Sequence, residues 1–156
     1  MKKVFRAYGV LYNAGDTIGL TDKTLSDAMM QKIVVNSPLK VPVVSDLGKA
    51  ISGDPDYNIG NAILMYQDAS ESGKPARLST MVTFNDRHRK EYETLLNSGK
   101  SRRGMRFGFL LSDVKQDDKG EIIDGKITAV SLNGTGLGGE VVSYGWEDES
   151  DGTIPN

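Results

Sequence analysis

The chain has 156 residues, no cysteine and one histidine, and its 19 basic and 21 acidic side chains leave a net charge of −2. A chain of this size buries roughly 68–70% of its unfolded surface, so it holds a core unaided and fits one domain. The composition excludes a disulfide scaffold, a thiolate metal site, a cysteine nucleophile and any site needing two imidazoles; it supplies no overall basic field for nucleic acid, and 38% hydrophobic with 26% charged residues fits neither a disordered chain nor a membrane protein.

The first residues, Met1-Lys2-Lys3-Val4-Phe5-Arg6, begin like a signal peptide. Arg6 interrupts the apolar run, so a chain made without an export signal is expected. No stretch nears the roughly 18 apolar residues of a membrane helix. Val4 to Leu11 alternates in strand fashion, and Asn13-Ala14-Gly15-Asp16 is a turn. Thr21 or Asp22 can cap a helix running to about Ile33, with Leu25, Ala28, Met29 and Ile33 on one face. Leu39 to Asp46 is a valine-rich strand in which Pro42 predicts an edge position or a strand start. Gly53 to Asp56 is a loop, Asn58 to Gln67 a strand, and Asp68 to Pro75 a polar loop.

Ala76 to Phe84 alternates as a strand. Asp86 to Ser98 is a second helix with Tyr92, Leu95 and Leu96 as its apolar stripe and Arg87–Glu91 and Arg89–Glu93 as i,i+4 pairs. Gly99 is its natural stop. Met105 to Val114 and Glu121 to Leu132 read as strands joined by a turn. Past Asn133 the chain is glycine-rich and then acidic. The expected fold is α+β, mainly β: an antiparallel, barrel-like sheet of about six or seven strands with two flanking helices. The expected domain spans residues 1–133, followed by a C-terminal segment, 134–156.

Four local motifs carry little chemistry. Gly134 to Gly139 matches a dinucleotide fingerprint, but Val141 and Val142 follow where a helix must start, so it reads as a turn. Asp54 to Gly60 is similar to a calcium loop, but Ile59 occupies the glycine position and Met65 the glutamate position. Lys100, Arg102, Arg103 and Arg106 surround Phe107 and Phe109. That run is similar to part of an RNA-recognition strand, but Arg106 and Ser112 replace its glycine and final aromatic, so nucleic acid is not the expected ligand. His88 lies in the first turn of the second helix between two arginines. No Gly-x-Ser-x-Gly elbow accompanies it, so it reads as a surface or boundary residue.

Several stretches taken in order resemble the prohead (capsid-maturation) protease family of tailed phages, whose fold is shared with the herpesvirus assemblins. They are Phe5 to Asn13 with Asp16, Val41-Pro42-Val43-Val44-Ser45-Asp46, Ile59-Gly60-Asn61-Ala62, Arg77 to Phe84, Leu95 to Gly99 leading to Met105-Arg106-Phe107-Gly108-Phe109, and Gly125 to Leu132. The resemblance spans roughly residues 4 to 133 and implies that family's barrel. It also implies peptide cleavage by a serine nucleophile and a histidine base, with a third residue assisting. Here the nucleophile position is Arg106, the base position Ser45 and the third position Ala129. Ser131 falls where the family has a serine of ordinary structural role.

Arginine stays protonated and cannot attack a carbonyl, serine cannot take a proton at neutral pH as imidazole does, and alanine orients nothing. The expectation is therefore a non-enzymatic capsid auxiliary or decoration protein. It would bind the major capsid protein, be located in the virion, need no cofactor or metal, and possess no catalytic residues. Tyr144 and Trp146 are the expected partner-binding anchors, and a homo-oligomer is compatible with a shell component. The alternatives are an active protease with rearranged residues, or a non-catalytic assembly factor absent from the mature virion.

Overall fold

The computed structural model describes residues 2–18, 22–45, 57–69, 73–99, 104–133 and 139–149. Strand β1 (Lys3–Asn13) is followed by helix α1 (Asp27–Asn36), then by β2 (Val41–Val44), β3 (Asn58–Gln67) and β4 (Arg77–Phe84). Helix α2 (Asp86–Asn97) precedes β5 (Arg106–Gln116), β6 (Ile122–Asn133) and β7 (Gly139–Asp148).

The seven strands form one sheet in the order β1-β4-β3-β2-β6-β5-β7, and β7 pairs back onto β1 to close a barrel. Among the described residues the expectation of a mainly-β fold with two helices is met, but an antiparallel sheet is not. β2 and β6 run parallel, pairing Val43 with Val130 and Val44 with Ser131. A ring of strands can alternate direction throughout only if their number is even, so seven strands require at least one parallel neighbour pair.

Alternation along each strand builds the interior. Ala7 pairs with Val82, Val82 with Ala62, and Ala62 with Val41. Val43 continues to Val130, and Leu132 pairs with Phe107. All of these side chains are buried. Pro42, read as an edge or start residue, sits second in a strand flanked on both sides. It lies opposite Asn61, while pairing to β6 begins only at Val43, so its missing N–H is tolerated next to the strand start.

Helix α1 begins later than the sequence pattern suggests, with Ser26 rather than Thr21 or Asp22 as its cap. Ser26 Oγ accepts from the Met29 N–H at 3.1 Å. Leu25 is instead drawn into the core, where its N–H donates to Tyr12 Oη at 2.8 Å. Met29, Met30 and Ile33 are the helix's buried residues, and α1 packs chiefly on β6. At its C-terminus Ser37 donates to the Ile33 carbonyl and accepts from the Ile127 N–H at 2.9 Å, tying helix end to sheet.

The segment expected to follow the domain supplies its closing strand. Residues 139–148 pair with β1 from Lys3 to Gly9 and with β5 at Arg106 and Phe107. The domain therefore extends beyond residue 133. A Cβ on Gly139 would run into the Val10 carbonyl, and one on Gly9 into the Phe107 ring and the Glu140 carbonyl. Close backbone approach at this seam thus demands glycine.

Gly9→Ala and Gly139→Ala are each expected to destabilise the protein by about 1–3 kcal/mol through overpacking. Gly99→Ala, with open space around it, is expected to stay within about 0.5 kcal/mol of the native protein. Urea midpoints at constant m-value check all three.

Candidate functional site

The three positions implied by the prohead-protease resemblance fall on neighbouring strands. Arg106 opens β5, facing Asn133 on β6 and Glu140 on β7. Its guanidinium donates to the Met105 carbonyl at 2.9 Å. Ser45 follows β2, with its N–H on the Tyr57 carbonyl at 3.0 Å, and the preceding Val44 pairs with Ser131. Ala129 is buried opposite Leu110, four residues back along β6 from Asn133. At a strand rise of about 3.3 Å that is about 13 Å from the end of β6 where Arg106 sits.

Arg106, Ser45 and Ala129 bring no imidazole and no carboxylate to these positions. Ser131 is buried between Val44 and Gly108. His88 lies on α2, which packs on β3 and β4. In the sheet order β3 and β2 separate β4 from β6. The Nδ1 of His88 is buried and receives no hydrogen bond.

Other sequence motifs fold into the framework. Phe107 is fully buried and Phe109 packs against the core, so neither forms an exposed stacking platform. Lys100, Arg102, Arg103, Gly134 to Gly138 and Asp54 to Asp56 lie outside the described residues. Of the two expected i,i+4 pairs on α2, Arg89–Glu93 is formed at 2.5 Å.

Tyr144 and Trp146 are held by the protein itself. Both pair with β1 on its core-facing residues, Trp146 with Phe5 and Tyr144 with Ala7. Their rings lie 5.7 and 6.4 Å from that of Phe5. Phe5 meets Phe84 at 5.8 Å, and Phe84 stacks on Tyr92 of α2 at 5.3 Å. The circuit returns to α2 through Trp146, whose Nε1 donates to Glu93 at 2.9 Å. Arg89 lies 4.9 Å above the Trp146 ring. Trp146 remains 49% exposed, while its N–H and one ring face meet Glu93 and Arg89 of α2.

On the outer face of β7, β1, β4 and β3 lies a groove of about 630 Å³, lined in part by Tyr8, Met65, Arg77, Ser79, Glu140 and Glu147. Its wall carries an ion pair between a buried arginine and a half-buried carboxylate. Arg6 Nη1 donates to Glu147 Oε1 at 2.6 Å, and the Tyr8 hydroxyl donates to the same oxygen at 2.5 Å. Arg6 is buried and its Nε lacks a partner, so the Glu147 carboxylate and Tyr8 are what offset its desolvation. Burial, reinforced by the Glu147 carboxylate, pushes the Tyr8 phenol up to about 12. Burial, with Glu91 adding to it, does the same for Tyr92. The sequence contained no local signal for this network, because Arg6 and Glu147 are 141 positions apart.

No protein-family model, curated protein or solved structure matches the chain.

The two phenols set an alkaline limit. Their neutral forms are favoured in the folded state, so their stabilising contribution is complete below pH 10 and is lost as pH rises through about 12. Unfolding free energy is expected to fall across pH 10–12, and the fall is expected to flatten in Tyr8→Phe/Tyr92→Phe. Urea titrations with phenolate absorbance in parallel check it. Trp146→Ala is expected to cost about 2 kcal/mol, less than the roughly 3–5 for a fully buried aromatic; its urea midpoint, read by circular dichroism, is the measurement.

Proposed function

We propose that this chain is a non-enzymatic auxiliary or decoration protein of a tailed-phage capsid, built on an inactive prohead-protease-like barrel and binding the major capsid protein. The observation that carries this reading is the occupancy of the family's three working positions by Arg106, Ser45 and Ala129. The seven-stranded barrel with two outer helices is compatible with the resemblance. The separation of His88 from Ser131 across the sheet supports the absence of a displaced serine–histidine pair. Losing a nucleophile or base alone costs a serine protease a factor on the order of 10⁶, and here the resemblance leaves neither in place. The residues left to act are those of the surface, through complementarity and buried area.

Two measurements test the proposal. Incubation of the purified protein with scaffold and capsid precursors is expected to leave both intact on a gel. Purified mature virions are expected to contain the protein in fixed ratio to the major capsid protein. Precursor cleavage abolished by Ser45→Ala, Ser131→Ala or His88→Ala would overturn the non-enzymatic reading. Absence from mature virions, with presence in precursor shells, would reassign the chain as an assembly factor.

A further inference from the structure

The outer groove across β7, β1, β4 and β3 is built in three levels. At one end Asn13, Arg77 and Gln67 are register partners on three adjacent strands, and all three line it. Val10, Ser79 and Met65 form the next such row. Tyr8 and Glu147 stand at the other end. From Tyr8 to Asn13 β1 advances about 17 Å, at a strand rise of about 3.3 Å.

The first row is a set of uncommitted donors. The buried Ser79 hydroxyl donates to Gln67 Oε1 at 2.8 Å, which orients that amide and leaves its Nε2 without a partner among the described residues. Arg77 donates to the Pro75 carbonyl at 3.3 Å and makes no ion pair among the described residues. The Asn13 side chain makes no hydrogen bond among them. A guanidinium flanked by two amides, on strands about 4.8 Å apart, suits a carboxylate. On the opposite wall Glu147 takes Arg6 and Tyr8 on Oε1 alone, and Glu140 is exposed with no ion-pair partner among the described residues.

Between the polar ends the groove is apolar. Ser143 lies opposite Tyr8 and Val141 opposite Gly9, so Val142 is the extra residue of a bulge. Bulges re-aim side chains, and this one sets Val142, 61% exposed, on the groove wall with Val10 and Met65. The charges are ordered without being in excess. Lys74 and Arg77 line the first end, and Glu140 and Glu147 line β7. Arg6 offsets Glu147. Asp16, whose N–H donates to the Asn13 carbonyl, and Asp68, which follows Gln67, stand near the cationic end, yet neither lines the groove nor pairs with Arg77.

We infer that this groove holds an extended peptide segment of the major capsid protein, which brings a carboxylate to Asn13, Arg77 and Gln67 and a basic side chain to Glu140. The inference rests on the proposed function and names its docking site. The distance between the ends matches about five extended residues, whereas a small carboxylate would use one end only. Apolar side chains of the segment cover Val10, Met65 and Val142, and the order of charges fixes its direction.

The test is co-sedimentation of the full-length protein with purified capsids lacking it. The samples are native protein, Arg77→Glu/Glu140→Lys, Arg77→Gln, Val142→Ser and, at the far end of α1, Leu39→Glu. The charge exchange leaves the net charge at −2, so its effect reads the order of charges alone. Glu140, Val142 and Leu39 are exposed and Arg77 is half-buried, so native urea midpoints are expected, and Arg77→Gln and Val142→Ser give independent readings should the exchange disturb folding. The expected result is native binding, at least tenfold weaker binding for the charge exchange, at least threefold for Arg77→Gln and Val142→Ser, and unchanged binding for Leu39→Glu. Native binding that survives all three groove variants, or that Leu39→Glu weakens equally, overturns this inference and leaves the capsid reading standing. No native binding overturns the capsid reading and this assignment with it. In sedimentation velocity without capsids, an oligomer dissolved by the charge exchange assigns the groove to a second copy of this chain and overturns the inference.

Discussion

Closure of a seven-membered strand ring is the constraint on which the rest of the molecule depends. An odd ring forces one parallel contact, met by β2 against β6, and among the described residues the last join is made by two residue pairs between β5 and β7. Those pairs form because the backbone at Gly139 lies against β1 and because Gly9 leaves room for the Phe107 ring. Phe107 in turn fills the interior opposite Leu132. Core packing and backbone closure are therefore one event at this seam, and neither glycine has a substitute that keeps both.

Two other features are anchored to the same closing strand. The Arg6–Glu147 pair joins β1 to β7 on the outside, and Tyr8 completes the carboxylate's shell. On the inside, Trp146 and Phe5 continue an aromatic line to Phe84 and Tyr92, so that α2 is held through β4, β1 and β7 together. Without β7 the buried Arg6 charge is uncompensated and α2 loses the contacts of Glu93 and Arg89 with Trp146. The residues that looked most like partner anchors in the linear sequence are thereby explained as parts of the barrel.

The residues that define function on the proposed reading are informative through what they cannot do. Arg106 begins the strand that meets β7 and contributes a guanidinium bonded to Met105. Ser45 spends its N–H on Tyr57, and Ala129 is packed against its neighbours. These are framework roles, compatible with a scaffold whose remaining capacity lies on its surface.

The amino-acid pattern by itself determined the strands β3 and β4, most of β1, β5 and β6, and the stripe of α2, because each has a regular period over eight or more residues. It also excluded cysteine chemistry and paired imidazoles, since composition needs no coordinates. It could not reveal β7, whose glycines resemble a loop until β1 is beside them, nor the parallel pair, which follows from counting that strand. The start of α1 was misplaced because Leu25 fits a helical stripe locally yet is taken by the core through Tyr12. Tertiary structure alone decided that Arg6 meets Glu147, that Trp146 faces α2, and that Asn36 and Ser37 meet residues 124–127 of β6. Those contacts join residues tens to more than a hundred positions apart, and only closure of the ring brings them together.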